Sequence, residues 1–195
     1  MAKYLGMEIN IQGQNLIKPR ESKMIRGAHT YAHTIMGCTR SGLDRALTAY
    51  RLWESCAIPG FLYGTEAMVI SKSTVKELEK IYHLVALFIL QLPPSSSQVM
   101  GWMEAGLQPF QQRLDTKSVL FAHTLITGRK DQLTKSVVDT TLADRTDPWT
   151  KRVQSILEEV GIQDLKNISK SMLKRWIWEY HVSQLRQAKA GHSSM

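Results

Sequence analysis

The chain has 195 residues, 43% hydrophobic and 22% charged, so it can bury a core and wholesale disorder is excluded. Lysine and arginine number 25 against 17 acidic residues, and the net charge of +8 favours a polyanionic partner. Nucleic acid fits this charge better than an anionic membrane surface does. The cysteines, Cys38 and Cys56, are too few for a disulfide scaffold or a four-cysteine metal site.

The amino-terminal segment lacks the apolar core of a signal peptide. The longest apolar run, residues 81–92, is also much shorter than the roughly 20 residues that a membrane span needs. We therefore expect an intracellular protein, cytoplasmic or nuclear, with no signal peptide, no transmembrane segment and no membrane partner.

The net charge is concentrated at the two ends of the chain. Residues 1–51 carry eight basic and three acidic side chains, and residues 166–195 carry six and one. The middle, residues 52–165, is close to neutral with eleven basic and thirteen acidic side chains. This distribution is typical of a protein that holds a polyanion, although two solvated helix faces would give the same pattern.

The pattern of apolar residues predicts one β-hairpin followed by helices. Apolar and polar residues alternate over 4–11, residues 12–15 form a predicted turn, and residues 16–17 a short return strand. The rest has helical periodicity, and Pro59 and Gly60 are predicted to end one helix. The predicted helices cover residues 21–39, 43–57, 74–92, 99–105, 110–127, 132–143, 148–160 and the segment after Ser169. The fold class is therefore mainly α: a helical bundle preceded by one short N-terminal β-hairpin.

A helix with the widest apolar stripe is predicted to lie at the centre of the bundle. Thr74 and Glu77 have the spacing of a capping box, which predicts Thr74 as the N-cap of the helix and Glu77 as its third residue. Its apolar residues recur at helical spacing. They are Val75, Leu78, Tyr82, Val85, Ile89 and Leu92, and Ile81, Leu84 and Phe88 widen the stripe.

The residue patterns of catalysis are missing from the sequence. His29 and His33 have the spacing of a zinc-binding pair, but no third ligand and no intervening glutamate accompany them, so we reject a metal site. There is no glycine-rich phosphate loop, no nucleophile elbow and no adjacent Asp-Asp pair. The chain taken alone therefore gives no active site and no catalytic residue.

Binding is better supported, because basic residues cluster around the predicted hairpin and the first helix. Lysine and arginine pair with phosphates and release counterions, which makes affinity depend on salt. Gly6 would let the backbone of another molecule approach closely, and Tyr4 can pack on a sugar or base or belong to the core. The candidate nucleic-acid-binding residues here are Lys3, Tyr4, Gly6, Lys18, Arg20, Lys23 and Arg26.

The last helix carries a second basic set. Lys170 and Lys174 are four residues apart and Arg175 follows, so we expect a basic helix face and add these three as candidate nucleic-acid-binding residues. Trp176 and Trp178 are only two residues apart, so they cannot both lie on the apolar side, and one of them is expected to be exposed or at an interface.

Several short motifs in a fixed order resemble a known family. They are Lys-Tyr-Leu-Gly at 3–6, Ala-Ile-Pro-Gly-Phe-Leu-Tyr-Gly-Thr-Glu at 57–66, Leu-Glu at 78–79, Ile-Leu-Gln-Leu-Pro at 89–93, Ser-Ser-Ser at 95–97, Glu-Ala-Gly-Leu-Gln-Pro at 104–109, and Arg113. This order is similar to the end of the polymerase region of non-LTR (LINE-type) retrotransposon reverse transcriptases. The resemblance covers residues 3 to about 125 and extends more loosely to Trp149 and Ile156; Leu107 stands where the family pattern usually has tryptophan.

The resemblance implies three regions: residues 1–18 as the primer-grip hairpin, 19–128 as a helical thumb-like domain, and 129–195 as a helical connector-like extension with a basic C-terminal helix. It implies that the chain grips the backbone of an RNA/DNA template–primer without reading bases. The catalytic carboxylates of the palm, and the fingers, would lie upstream of Lys3. The chain then looks like a fragment that is inactive as a polymerase alone. It would need no cofactor itself, since Mg²⁺ is implied only for the missing palm.

Two other interpretations stay open at this point. The chain can be a non-catalytic helical protein-interaction module whose apolar surface binds the missing palm and fingers or another protein. It can also be a degenerate remnant without a selected function.

Overall fold

The computed structural model describes part of the chain. The backbone is described for residues 2–4, 7–9, 17–40, 44–128, 140, 147–162 and 164–192, and the side chains for residues 18–40, 44–128, 140, 147–162 and 164–184. The described residues are mainly helical, as the sequence predicts.

Two three-residue strands lie near the amino terminus. The strands β1 (Ala2–Tyr4) and β2 (Met7–Ile9) pair antiparallel, with Lys3 opposite Glu8. The prediction of one strand over 4–11 with a return strand at 16–17 is wrong in two places. Tyr4 and Met7 lie opposite each other on paired strands, and Ile17 is the first residue of a helix. The predicted hairpin segment 1–18 therefore overlaps a helix at its end, and the predicted turn at 12–15 lies outside the described residues.

The helices follow the predicted order closely in the described ranges. They are α1 (Ile17–Thr39), α2 (Arg45–Leu52), α3 (Ile58–Phe61), α4 (Lys72–Leu90), α5 (Gln98–Glu104), α6 (Phe110–Thr127), α7 (Pro148–Val160) and α8 (Lys170–His192). Of the predicted helix over 132–143, only residue 140 lies in the described part of the chain, and that residue is helical.

Pro59 does not end a helix, contrary to the prediction. A π-helical turn, Trp53–Ala57, joins α2 to α3, and the Ile58 N–H donates to the Trp53 carbonyl. Pro59 therefore lies in the first turn of α3, where the missing N–H of proline is tolerated. The π-helical turn shifts the backbone hydrogen bonds by one residue just before the proline, and the chain stays helical to Phe61.

The central helix α4 begins three residues earlier than the capping box predicts. Ser71 is its N-cap, and its hydroxyl accepts a hydrogen bond from the Thr74 N–H at 3.3 Å. The Ser71 N–H in turn donates to the buried Glu21 carboxylate at 2.6 Å. A side chain of α1 therefore fixes the start of α4. The predicted stripe is buried except for its last residue, Leu92, which is half-buried. Of the residues predicted to widen it, Ile81 is buried and Phe88 half-buried, whereas the prediction is wrong for Leu84, which is exposed.

The chain divides into two compact units, and each has its own core. The first unit comprises Met1–Thr65 and Ile70–Phe110. Within it α1 packs on α4, and ring centroids 5.4–6.5 Å apart link an aromatic cluster around Tyr82. The rings of this cluster belong to Trp53, Phe61, Tyr82, Trp102 and Phe110. Edge-on aromatic contacts of this kind stabilise a core beyond the burial of their area.

The second unit comprises Glu66–Val69 and Gln111–Met195. Its core brings together α6, α7 and α8. The buried apolar residues are Val119, Ala122, Trp149, Val153, Ile156, Ile162, Leu165, Leu173 and Ile177. The Trp149 indole N–H donates to the Glu66 carbonyl at 2.8 Å, so the short segment Glu66–Val69 is held in this unit.

The division into units differs from the predicted regions. The sequence places residues 110–127 in the thumb-like domain 19–128, whereas the structure assigns all of α6 after Phe110 to the second unit. The reason is packing: Val119 and Ala122 of α6 are fully buried against α7 and α8.

Candidate nucleic-acid interface

The amphipathic pattern of α1 decides which of its basic residues are exposed. Met24, Ala28, Ala32 and Ile35 are buried and form one stripe along the helix. Because a helix turns by about 100° per residue, Lys23 and Arg26 project from the side opposite this stripe, and Lys18 projects from its flank.

Three cations of α1 are available for a ligand. Lys18, Lys23 and Arg26 are exposed, and their side chains form no hydrogen bond or ion pair with any residue that the structure describes. We call these three residues the α1 surface. A cation without an internal partner can neutralise a phosphate without first breaking an ion pair, so this surface suits a polyanion.

Arg20 does not belong to this surface, although the sequence grouped it there. Its side chain is half-buried, and its guanidinium donates to the main-chain carbonyl of Tyr63. The hydrogen bond ties the start of α1 to the turn after α3. The structure therefore gives Arg20 a structural contact.

The remaining candidates at the amino terminus are described only in part. Lys3 and Tyr4 lie in β1, where the structure describes the backbone alone. Gly6 lies outside the described residues.

The second basic surface lies on α8. Leu173 and Ile177 are fully buried, and Lys170, Lys174 and Arg175 are exposed. We call these three exposed residues the α8 surface. Lys170 and Lys174 have no side-chain partner within the described part of the chain, whereas Arg175 Nε donates to Glu179 Oε1 at 3.1 Å. That ion pair is solvent-exposed and therefore weak, so it leaves Arg175 able to exchange Glu179 for a phosphate.

A groove in the second unit has the opposite character. It has a volume of about 430 Å³ and is lined by Glu159, Glu179, Trp176 and Tyr180 among others. The Tyr180 hydroxyl donates to Glu159 Oε2 at 2.5 Å, which raises the pKa of Tyr180 to about 12 and lowers the pKa of Glu159. Two carboxylates repel phosphate, so this groove is not part of the basic surface. Sequence reasoning missed it because residues 159 and 180 meet only in the folded unit.

The two histidines of α1 are close to each other. The rings of His29 and His33 stack with their centroids 6.2 Å apart. Among the described residues, no group of three or more histidine, cysteine, aspartate or glutamate side chains is arranged to hold a metal ion. No helix within the described ranges has the length and apolar character that a membrane crossing requires.

Comparison of the chain with protein-family models, curated proteins and solved structures finds no match.

Proposed function

We propose that this chain binds nucleic acid through the sugar–phosphate backbone, without sequence preference, as the thumb and connector of a LINE-type reverse transcriptase would. The observation that carries the proposal is the α1 surface, whose three cations are exposed and have no partner among the described residues. The α8 surface supplies a second set of exposed cations. Backbone contacts of this kind position a nucleic acid and carry no sequence information.

The proposed ligand is an RNA/DNA template–primer, and this part of the proposal depends on the motif resemblance. In it, the amino-terminal segment with Lys3, Tyr4 and Gly6 acts as the primer-grip hairpin. The chain supplies grip and no polymerase chemistry, since its sequence has no adjacent Asp-Asp pair to hold catalytic Mg²⁺.

A salt titration with a matched charge control tests the proposal. The variant Lys18→Ala/Lys23→Ala/Arg26→Ala removes the α1 surface. The control Lys72→Ala/Lys76→Ala/Lys80→Ala removes the same charge from exposed positions of α4 in the same unit. Binding of a 20-base-pair RNA/DNA heteroduplex is measured from low to high salt for both variants and the unaltered chain.

We expect the α1 variant to lower the slope of log affinity against log salt by about 2–3, because each phosphate contact contributes about 0.9. The α4 control should change the slope by less than about 1. Equal losses in the two variants would show that net charge alone drives binding. No binding by the unaltered chain at low salt would contradict the proposal outright.

One observation favours a second candidate function, a helical protein-interaction module. The short helix α5 exposes Val99, Met100 and Met103 by 38–51%, and Leu84 of α4 is 40% exposed. Methionine-rich exposed surfaces adapt to protein partners. If the heteroduplex does not bind and the chain self-associates in light scattering, and if Met100→Lys/Met103→Lys abolishes the association, this second function replaces the first.

A further inference from the structure

Trp178 is a large aromatic side chain exposed to solvent. It is 49% exposed on α8, whereas Trp176, two residues earlier, packs against the core of the second unit. The sequence predicts that these two residues diverge, and the structure shows which one leaves the core. An exposed indole combines a large apolar face with a polar N–H, and tryptophan is enriched at interfaces for this reason.

The surroundings of Trp178 are basic. Lys174 lies four residues before it and Arg175 three residues before it, so both are its neighbours on the helix surface. Lys174 has no side-chain partner in the part of the chain that is described, and Arg175 has only the exposed pair with Glu179. The indole therefore lies next to two cations, an arrangement that complements a polyanion with accessible aromatic rings.

We propose that Trp178 stacks on an unpaired base of single-stranded RNA or DNA while Lys174 and Arg175 contact the flanking phosphates. This inference rests on the proposed function and deepens it by naming the form of nucleic acid that α8 selects. In a duplex the bases are already stacked and only the backbone is offered, so the indole gains nothing. A single strand offers base faces, and aromatic side chains bind these irrespective of sequence.

An anionic membrane surface fits the same residues less well. A helix that lies in a membrane interface needs a continuous apolar face on its outer side. The apolar residues Leu173 and Ile177 of α8 are fully buried in the second unit. Met172 is exposed, but it projects about 120° away from Trp178 around the helix. Leu173 and Ile177 are therefore not available to enter a membrane beside Trp178.

The test compares Trp178→Ala, Trp178→Phe and the control Met172→Ala, whose side chain is also 49% exposed on α8. Affinities are measured for a 20-nucleotide single strand, as (dT)20 and as (U)20, and for a 20-base-pair duplex at one salt concentration. Circular dichroism melting confirms that each variant is folded. Binding to vesicles of phosphatidylserine and phosphatidylcholine is measured for the same variants.

We expect Trp178→Ala to weaken single-strand binding by roughly 5- to 100-fold and duplex binding by less than about twofold. Trp178→Phe should recover part of the loss, and Met172→Ala should change neither. If Trp178→Ala loses the same affinity for single strand and duplex, or loses none for either, the stacking role is overturned and the proposed function stands. No binding of any oligonucleotide overturns both. Vesicle binding that depends on Trp178, with oligonucleotide binding unchanged, overturns the inference in favour of a membrane surface.

Discussion

The Nη2 atom of Arg152 lies 2.9 and 3.0 Å from the two carboxylate oxygens of Asp115, and this contact joins α7 to α6. The Asp115 side chain is only 5% exposed. Gln111 donates a further hydrogen bond to Asp115 Oδ1 at 2.9 Å. The second unit thus contains a buried negative charge that depends on its partners, because a buried carboxylate without partners is costly.

The first prediction concerns this ion pair. Arg152→Met keeps the length of the side chain but leaves Asp115 buried without its cation. We expect the free energy of unfolding to fall by about 1–3 kcal/mol, because the buried Asp115 carboxylate loses a charged donor, while Arg152 itself is 38% exposed. Urea denaturation measures the change. Arg175→Met is the control, because its pair with Glu179 is exposed and should contribute less than about 1 kcal/mol. If both variants lost the same small amount of unfolding free energy, the buried Asp115 carboxylate would not depend on Arg152, contrary to this prediction.

The second prediction concerns the pH dependence of stability through His181. Burial lowers the pKa of His181; Asp115 and Glu159 oppose this shift, and Arg152 adds to it. His181 Nε2 lies 3.5 Å from Asp115 Oδ2, too far for a good hydrogen bond, so burial prevails. Below the ordinary pKa of about 6.5 the unfolded chain then binds a proton that the folded chain does not. Stability should therefore fall as the pH drops through that value, by at most about 1.4 kcal/mol per pH unit.

Urea denaturation between pH 8 and pH 5.5 checks this dependence. His181→Gln should flatten the fall. His33→Gln, at an exposed position of α1, should leave it as it is. A steeper fall in the His181 variant would mean that protonated His181 stabilises the fold through Asp115, contrary to the direction predicted.

The third prediction tests how α1 fixes the start of α4. The Glu21 carboxylate is buried and accepts the Ser71 N–H at 2.6 Å. Glu21→Ala should lower the free energy of unfolding by about 1–3 kcal/mol, because a half-buried N–H then loses a charged acceptor. Thermal or urea unfolding gives the value. The control Glu104→Ala, at an exposed position, should keep its free energy of unfolding within about 0.5 kcal/mol of the unaltered chain. A loss as large as that of Glu21→Ala would show that the contact with Ser71 does not explain the effect.

The same contact explains where sequence reasoning about the fold succeeds and fails. The apolar stripe of α4 is local and periodic, so burial of residues such as Leu78 and Tyr82 could be predicted. The true N-cap could not, because Ser71 is positioned by Glu21, 50 residues earlier in the chain. Pro59 misled the prediction for a similar reason, since a π-helical turn before it keeps the chain helical.

For the candidate site as well, local sequence patterns could be predicted and contacts between residues distant in the sequence could not. Exposure of Lys23 and Arg26 follows from the helical periodicity of α1, which the sequence contains. The contact of Arg20 does not, because its acceptor is the Tyr63 carbonyl 43 residues away. The exposure of Trp178 rather than Trp176 needed the position of the core, which the spacing of the two residues alone cannot give.

The last prediction separates the structural from the binding role of two neighbouring cations on α1. Arg20→Ala should lower the free energy of unfolding by about 1–3 kcal/mol, since the Tyr63 carbonyl loses a charged donor. It should leave the salt slope of heteroduplex binding nearly unchanged. Lys23→Ala should do the reverse, with stability within about 0.5 kcal/mol of the unaltered chain and a slope lower by about 0.9.

Urea denaturation and the salt titration are run on the same protein preparations. The variant Arg20→Lys keeps the charge but loses the planar guanidinium. We therefore expect its free energy of unfolding to fall while it binds the heteroduplex normally. A drop in salt slope for Arg20→Ala equal to that for Lys23→Ala would return Arg20 to the binding surface. A loss of stability in Lys23→Ala would show that Lys23 is not a free cation of α1, and the α1 surface would then shrink to Lys18 and Arg26.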